Sequence, residues 1–237
     1  MNGAALSASY AFPPNSYGYC GKGSFTHTMR SFLRGDVTPE SLETELRMFP
    51  SHYSYLSLIA RENSRKAFDN DVVRALWIGN ALLDNIPCDS LRSFIKRDLF
   101  AGKQKQRAEK LARNVPDGLL PHHSMNALYV KFVTNKVARS IDSYDSCCVT
   151  AGKIISLSSR SAIVDRFSIS WDGGFCIGKR RGHIALERNG ICVAGALKRG
   201  DIVSVHWGMA IQKLGMKDFN MLKTYTQRNM DAVNEGR

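Results

Sequence analysis

The spacing of apolar residues indicates helices in the first half of the chain. From about residue 24 to 113 they recur every three or four positions, the period of amphipathic helices. Helix-boundary residues accompany the pattern, because Ser24 can cap "SFTHTMRSFLRG", and Thr38 followed by Pro39 can start "TPESLETELRMFP". We therefore expect a mainly helical domain over residues 1–140.

Three further segments of this half differ from one another in their apolar pattern. "DVVRALWIGNALLDNI" predicts a helix with a wide apolar stripe, formed by Val72, Val73, Leu76, Leu82 and Leu83. "KQKQRAEKLARNV" is polar enough to be a surface helix or a charged arm. Residues 119–134 fit a strand as well as a helix.

The pattern changes after the polar, turn-prone "ARSIDSYDS" at residues 138–146. From Cys147 onward short alternating segments are separated by turn residues. The predicted strands are "VTAGKIISL", "SAIVDRFSIS", "HIALE", "ICVAGAL" and "IVSVHW", and the turns between them include "WDGG", "RNG" and "KRGD". Five or six such strands predict a small OB-like β-barrel. A last amphipathic helix is expected at about residues 217–233.

The expected architecture is therefore α+β with two domains. A helical domain occupies residues 1–140, and a small barrel with a C-terminal helix occupies residues 146–237. A chain of 237 residues with 43% hydrophobic and 23% charged residues has ordinary globular composition. It contains no apolar run of membrane-spanning length, and its first residues lack the pattern of a signal peptide. We expect a cytoplasmic protein that does not contact membranes.

The charge and the cysteine count narrow the candidate chemistry. A formal net charge of +12 makes nucleic acid a possible partner. The densest basic cluster falls on helical sequence and is formed by Arg92, Lys96, Arg97, Lys103, Lys105, Arg107, Lys110 and Arg113. A shorter one, Lys179–Arg181, lies in "GKRRGH", which we interpret as a turn. Six cysteines are too few for a disulfide scaffold and should be free thiols, buried residues or metal ligands.

Two segments of the second half resemble the HypC family, small chaperones that help to assemble the iron site of nickel-iron hydrogenases. "CCVTAGKIISL" resembles that family's opening cysteine, Gly-Lys-Val element and apolar strand. "KRGDIVSVHWGMAIQKL" is similar to its Gly-Asp-(apolar)-Val-His-(apolar)-Gly-(aromatic)-Ala segment. The matching residues are Gly200, Asp201, Val205, His206, Gly208, Ala210 and Ile211. The helical half has no counterpart in those chaperones, although its combination with such a barrel resembles a family of uncharacterised bacterial and archaeal proteins.

The resemblance implies a metallochaperone rather than an enzyme. In the HypC family the cysteine binds an iron fragment and the maturation partner, and the histidine contributes to the same site. These residues match Cys147 and His206. The implied cofactor is therefore iron, either as the ion or as a fragment that carries diatomic ligands. The implied partners are a maturation protein and a metalloenzyme client. Thiolate and imidazole are suitable donors for such a fragment. Two departures are that Cys147 is internal to the chain and that Ala151 replaces the family's proline.

Four other residues are weaker candidates for the same metal site. Cys148 is adjacent to Cys147, and because neighbouring strand residues face opposite sides, we expect one of the pair to lie in the barrel core. Cys20 lies in "YGYCGKG", which we expect to be a flexible turn with an accessible thiol. His122 and His123 are adjacent, so in regular helical geometry they cannot bind one metal together. If Cys20, His122 or His123 folded toward Cys147 and His206, the chain would supply a complete mixed site.

The remaining cysteines have structural interpretations. Cys176 and Cys192 are expected to be buried core thiols, and Cys88 a helix-start residue. Two other functions stay open. One is a basic small-barrel module that binds nucleic acid through "GKRRGH" and the surface helices. The other is a thiol-dependent enzyme that uses Cys20 or Cys147 as its nucleophile.

Overall fold

The computed structural model of the protein describes residues 2–100, 102–133 and 136–236, and it confirms the α+β class. The helical part comprises α1 (Gly3–Ser16), α2 (Phe25–Arg34), α3 (Pro39–Arg47), α4 (Pro50–Glu62), α5 (Asn70–Trp77), a 3₁₀ turn (Ala81–Leu83), α6 (Cys88–Arg97), α7 (Lys105–Arg113), α8 (His123–Leu128) and α9 (Ile141–Cys147). The second part comprises β1 (Thr150–Leu157), β2 (Ser161–Trp171), β3 (Phe175–Ala185), β4 (Ile202–His206), β5 (Met209–Leu214) and α10 (Met216–Glu235).

The five strands close into a small barrel in the order β1-β2-β3-β5-β4. Four of the neighbouring pairs are antiparallel, and β3 meets β5 in parallel at Ala185 and Met209. The predicted OB-like barrel is therefore confirmed. One apolar cluster inside it includes Ile154, Val164 and Val203. A larger cluster joins the helices to the outer side of the barrel, so the two parts share a hydrophobic core.

The first helix, α1, lies in the middle of this shared core. Thirteen of its residues, from Gly3 to Asn15, are buried. No helix was expected there, because its small and apolar residues are distributed around the whole helix instead of forming a stripe. Gly3 is required where α1 crosses the main chain of Phe68, since a Cβ would come within 1.9 Å of that carbonyl oxygen. Tyr10 of α1 reaches the barrel, where its hydroxyl is 2.9 Å from the Ser204 hydroxyl on β4.

Several boundaries follow the sequence prediction. Helix α2 ends at Gly35 with φ of 82°, and α3 has Thr38 as its N-cap and Pro39 in its first turn. Cys88 begins α6, as expected. The polar segment after residue 104 is the surface helix α7, and α10 matches the last predicted helix. The ambiguous stretch at residues 119–134 contains the short helix α8; Thr134 and Asn135 lie outside the described residues.

Three local predictions are wrong. The predicted apolar stripe from Val72 to Leu83 does not lie on one helix, because Gly79 adopts φ of 92°. A Cβ at Gly79 would also come within 2.3 Å of the Tyr225 ring. "ICVAGAL" is not a strand of the barrel: Ile191 and Val193 are buried, but among the described residues its ladder pairing is limited to the isolated bridge between Ile191 and Arg188. "GKRRGH" is not a turn, since it lies within β3 and pairs with β2 along its length.

The cysteines also require corrections. Cys147 and Cys148 are not in the first barrel strand: Cys147 is the last residue of α9, and β1 begins at Thr150. Ser140 starts this helix by accepting a hydrogen bond from the Ser143 amide at 3.2 Å, a capping signal within a segment that we expected to be irregular. Cys176 is only half-buried and Cys192 is exposed, so neither is a core thiol.

Among the described residues, no helix is both long and apolar enough to cross a membrane.

Candidate metal centre

Three side chains from separate elements converge between the helices and the barrel. They are His123 at the start of α8, Cys147 at the end of α9 and His206 at the end of β4, and their ligand atoms all lie within 4.8 Å of one another. Nitrogen from imidazole and sulfur from thiolate form a typical ligand set for transition metals. We call these three residues the His/Cys/His group.

The hydrogen bonds of His206 leave one of its ring nitrogens available to a ligand. Nδ1 is 2.8 Å from the main-chain oxygen of Tyr10, and because a carbonyl only accepts, Nδ1 carries the proton. Nε2 therefore has a free lone pair, and this buried atom has no partner among the described residues. The ring is aimed by the β4–β5 hairpin, whose two turn residues, Trp207 and Gly208, both have positive φ.

Cys147 is positioned by an ionic anchor two residues earlier in α9. Asp145 is buried and accepts two hydrogen bonds from the Arg166 guanidinium, at 3.0 and 2.7 Å, and one from the Ile169 amide at 2.8 Å. Arg180 adds a fourth at 2.9 Å. Burial opposes the charge of Asp145, but Arg166 and these other donors keep its pKa below the usual range. The end of α9 is thus tied to β2 and β3.

His123 takes its position from the packing of its ring. The ring stacks on Trp77 with centroids 4.2 Å apart and meets the His206 ring edge-on at 5.1 Å. Its buried Nδ1 has no hydrogen-bond partner in the part of the chain that the structure describes. In both His123 and His206, therefore, one buried ring nitrogen lacks the partner that such groups ordinarily have.

Burial determines the protonation states of the group. It lowers the pKa of His206 to about 4 and that of His123 well below its usual value, so both imidazoles are neutral near pH 7. Burial also raises the pKa of Cys147 to about 12, although a hydrogen bond from the Asn126 amide, 3.9 Å from the sulfur, acts in the opposite direction. Without a metal the group is uncharged; a bound metal would displace the thiol proton.

Two small cavities of about 90 Å³ each adjoin the group. The first, which we call the barrel-side cavity, is lined by Cys147, His206 and Trp207. The second, the helix-side cavity, is lined by His52, Tyr55 and Trp77. Both are also lined by Pro14, Cys20, Ser51, His123 and Asn126. His123 thus stands between two spaces that a metal-bound ligand could occupy.

The helix-side cavity has buried donors without acceptors. Tyr55 and Trp77 are only 3% and 2% exposed. Within the described chain neither the Tyr55 hydroxyl nor the Trp77 Nε1–H has a hydrogen-bond partner. An unpaired buried donor costs about 1–3 kcal/mol. Such a cost is typical of a site that a ligand completes.

The structure places the other candidate ligands from the sequence, Cys20, His122 and Cys148, outside the His/Cys/His group. Cys20 lines both cavities and lies near enough to Cys147 to raise the pKa of that thiol. His122 is fully buried, but it caps α8 and its Nδ1 is 2.9 Å from the Ser124 hydroxyl, so it is not one of the three. Cys148 is buried in the shared core and is also outside the group.

Sequence reasoning missed the residues that support the ligands. Tyr10 orients His206, and Asn126 contacts Cys147. Trp77 holds the His123 ring. None belongs to a motif, and each acts on a residue distant in the sequence. A weak signal existed for Asn126 only, because "PHHSMN" places it three residues after His123 and hence on the same helical face.

The donor set fits a transition metal. It combines two neutral imidazoles with one thiol, and in each imidazole a buried nitrogen has no partner among the described residues. His206 also has the tautomer that is typical of metal-ligating histidines, because Nδ1 donates to the Tyr10 carbonyl oxygen and Nε2 stays unprotonated. With three protein ligands a tetrahedral metal keeps one open position, as in sites that exchange ligands.

Comparisons with known proteins give one match. No curated protein and no solved structure matches the chain. A family profile matches it over residues 1–237, which covers both the helical part and the barrel, and therefore all three ligands. The chain belongs to the family DUF6390, described as a family of unknown function.

Proposed function

We propose that the protein is a metallochaperone that binds iron at the His/Cys/His group and passes it to a metalloenzyme. One observation carries the proposal: Cys147, His123 and His206 come from three different elements, yet their donor atoms lie within 4.8 Å of one another. A buried ring nitrogen without a partner, which both His123 and His206 have, is costly for a fold unless something occupies the space beside it.

Several features favour a carrier over a structural metal site. Structural zinc sites are usually closed by four protein ligands, whereas this group has three. The cavities beside it leave room for a ligand that is not part of the chain. A metal held by three residues beside free space can be transferred by adding the acceptor's ligands before the carrier's ligands leave.

The resemblance to the HypC family supports iron as the cargo. Cys147 and His206 match that family's two metal-site positions, and both belong to the group. The helix-side cavity supports a cargo that already carries small ligands, because two residues that line it, Tyr55 and Trp77, each have a buried donor without an acceptor among the described residues. We infer an iron fragment with diatomic ligands, a hydrogenase-type maturation system and a client in the cytoplasm.

Anaerobic purification followed by metal analysis tests this proposal. The expected result is about one iron per chain in the wild-type protein. Cys147→Ser, His206→Ala and His123→Ala should each lose it, whereas the exposed-cysteine control Cys192→Ser should keep it. Infrared bands of iron-bound diatomic ligands would identify the fragment. Wild-type iron content in both Cys147→Ser and His206→Ala would overturn the proposal.

Nucleic-acid binding by the barrel has less support. Arg180 and Arg181 of "GKRRGH" form ion pairs with Asp142, Asp145 and Asp165, so their charge is already compensated. Of the two basic clusters in the sequence, the one on α6, α7 and the segment between them is the better candidate surface for an anionic partner, and for a carrier this would be an acidic protein. A shift assay at increasing salt separates the functions, because phosphate binding weakens steeply with salt and metal content does not.

A thiol-dependent enzyme is also less well supported. Reactive cysteines have a lowered pKa, since the thiolate is the nucleophile. In this structure burial raises the pKa of both Cys20 and Cys147 to about 12. Slow alkylation of both thiols in the metal-free protein is expected, and fast stoichiometric labelling of one of them would favour the enzyme instead.

A further inference from the structure

The segment from Tyr17 to Gly23, which we call the Cys20 loop, covers the His/Cys/His group from the side of α1. Most of its residues are exposed, but Cys20 points inward and lines both cavities. Its neighbour Tyr19 packs on Trp207, the residue after His206, with ring centroids 4.6 Å apart. The loop therefore brings a second thiol to the open side of the group.

The inward position of Cys20 is built into the fold. Asn15, a buried residue near the end of α1, donates from Nδ2 to the main-chain oxygens of Cys20 and Lys22, both at 2.8 Å. A single amide thus fixes the main chain on either side of Gly21. Gly21 has φ of 73°, and a Cβ at this position would come within 2.1 Å of the Phe49 ring. Only glycine permits this conformation and this close packing.

The same loop has weak attachments on its outer side. On this side the Gly18 main-chain oxygen accepts one hydrogen bond, 2.9 Å long, from the exposed Lys136 ammonium, whereas the Gly18 N–H bonds back to the Asn15 carbonyl oxygen of α1 at 2.8 Å. Tyr17 is exposed and is covered by the Arg188 guanidinium, 4.0 Å from the ring centroid. Segments with few buried contacts open locally at low free-energy cost. The loop can move outward while α1, and with it the Tyr10 contact to His206, stays in place.

The His/Cys/His group leaves one coordination position of a bound metal open on this side. Three protein ligands leave one vacant site on a tetrahedral metal, and thiolate is a preferred donor beside imidazole. Cys20 lies outside the 4.8 Å group but lines the barrel-side cavity together with its three members. A shift of the loop toward this cavity would complete a two-cysteine, two-histidine set.

We propose that Cys20 is a displaceable fourth ligand, which the Cys20 loop adds to the metal when it closes and withdraws when it opens. Closing forms a metal–sulfur bond, and the Cys20 proton passes to water; opening breaks that bond, returns a proton to the thiol and leaves a vacant position for the client's donor. This inference rests on the metallochaperone function, and it identifies the step that allows release.

Cobalt(II) is the probe for the test, because its visible bands report coordination number and its near-ultraviolet bands report the number of thiolates. We expect a tetrahedral two-thiolate spectrum in the wild-type protein. Cys20→Ser should lose about half of the sulfur-to-cobalt intensity and bind cobalt at least about tenfold more weakly. Cys147→Ser should lose the larger part of the affinity. Cys88→Ser and Cys192→Ser are matched controls that should resemble wild type.

A second variant tests the loop without changing a thiol. Asn15→Asp removes the amide that holds the loop and places a carboxylate beside the two carbonyl oxygens. It should transfer cobalt to a chelator at least about tenfold faster than wild type, with circular dichroism unchanged. A wild-type spectrum in Cys20→Ser, or wild-type transfer in Asn15→Asp, would overturn this inference but leave the carrier function intact. No cobalt binding by the wild-type protein would overturn both.

Discussion

The Nδ1 atom of His206 donates a hydrogen bond to the main-chain oxygen of Tyr10 over 2.8 Å and 196 residues of sequence. This contact links the first helix to the last residue of β4 and fixes which nitrogen of the imidazole is free. The Tyr10 hydroxyl makes a second contact to the same strand, at the Ser204 hydroxyl. The helical part therefore has a direct role at the candidate metal centre: it sets the tautomer of a ligand.

Histidine tautomers provide the first prediction. Nitrogen-15 NMR of histidine-labelled protein without metal should show His206 protonated on Nδ1 and bare on Nε2, because the Tyr10 carbonyl accepts only from Nδ1–H. Added zinc should shift the Nε2 signal and leave Nδ1 protonated. The exposed His27 is the reference, since zinc should not change its signals. Protonation of His206 on Nε2 alone would contradict the structure.

The pH dependence of metal binding is the second prediction. Burial keeps Cys147 protonated at neutral pH, with a pKa of about 12, and keeps His206 neutral, with a pKa of about 4. Binding should therefore release a proton from each thiol that becomes a ligand and none from the histidines. The affinity should rise about tenfold per pH unit for each proton released. Calorimetric titration in buffers of different ionisation enthalpy counts these protons, and pH-independent affinity would exclude thiolate ligation.

Local signals in the sequence predicted much of the barrel and one part of the site. Alternating residues and turn glycines indicated β1, β2, β4 and the end of β3, whereas β5 was not predicted. His206 was a candidate because of the resemblance of its segment to the HypC family, which stays a prediction. Cap residues such as Thr38 also act over only a few positions, so they can be read directly from the chain. His123 was a candidate only because two adjacent histidines stood out.

The convergence of the ligands could not be predicted, because it depends on contacts between distant segments. Helix α1 has no apolar stripe, since it is buried on all sides, and it contains Pro13 and Pro14. The ring of His123 is placed by Trp77, and the end of α9 is placed by Asp145 and its arginine partners. These contacts come from packing of the complete chain and leave no pattern within any one segment.

Acid sensitivity is the third prediction. Burial lowers the pKa of His52 and His122 to about 3, that of His206 to about 4 and that of His123 well below its usual value of 6.5. Below pH 6.5 the unfolded chain therefore binds protons that the folded chain does not, so the free energy of unfolding should fall as the pH falls toward 4. Four such groups give a slope of about 5 kcal/mol per pH unit.

Urea unfolding at pH 7, 6 and 5 measures this slope. His122→Asn removes one titrating group but keeps a side chain that can cap α8, so its slope should be about a quarter smaller than that of the wild type. His183→Asn is the control, because this residue is exposed, and its slope should equal that of wild type. The same free energy of unfolding at pH 7 and pH 5 would mean that these histidines are hydrated.

A pair of glycine substitutions is the fourth prediction. Gly21→Ala should displace the Cys20 loop, because φ is 73° and the new Cβ would collide with Phe49. The left-handed conformation alone costs an alanine about 1–2 kcal/mol. Trypsin should then cleave faster after Lys22. Gly23→Ala is the matched control, since no atom lies within 4 Å of its Cβ position and its φ is not positive. Equal cleavage rates in the two variants would contradict the described loop conformation.

The anchor of α9 gives the last prediction, in which two aspartates of one helix should differ sharply. Asp145 is 3% exposed and pairs with Arg166, so Asp145→Ala leaves a largely buried guanidinium without its partner and should cost about 3–5 kcal/mol of unfolding free energy. Asp142→Ala removes only an exposed pair with Arg180 and should cost about 0–1 kcal/mol.

Asp145→Ala should also weaken metal binding more than Asp142→Ala does, because Cys147 lies two residues after Asp145. Asp145→Ala should weaken cobalt binding under conditions where circular dichroism shows the variant to be folded, whereas Asp142→Ala should bind as wild type does. Arg166→Met is an informative partner variant: it removes the buried cation, so combined with Asp145→Ala it should recover part of the lost stability. If both aspartate variants were equally stable, Asp145 would not be the residue that holds the end of α9 against the barrel.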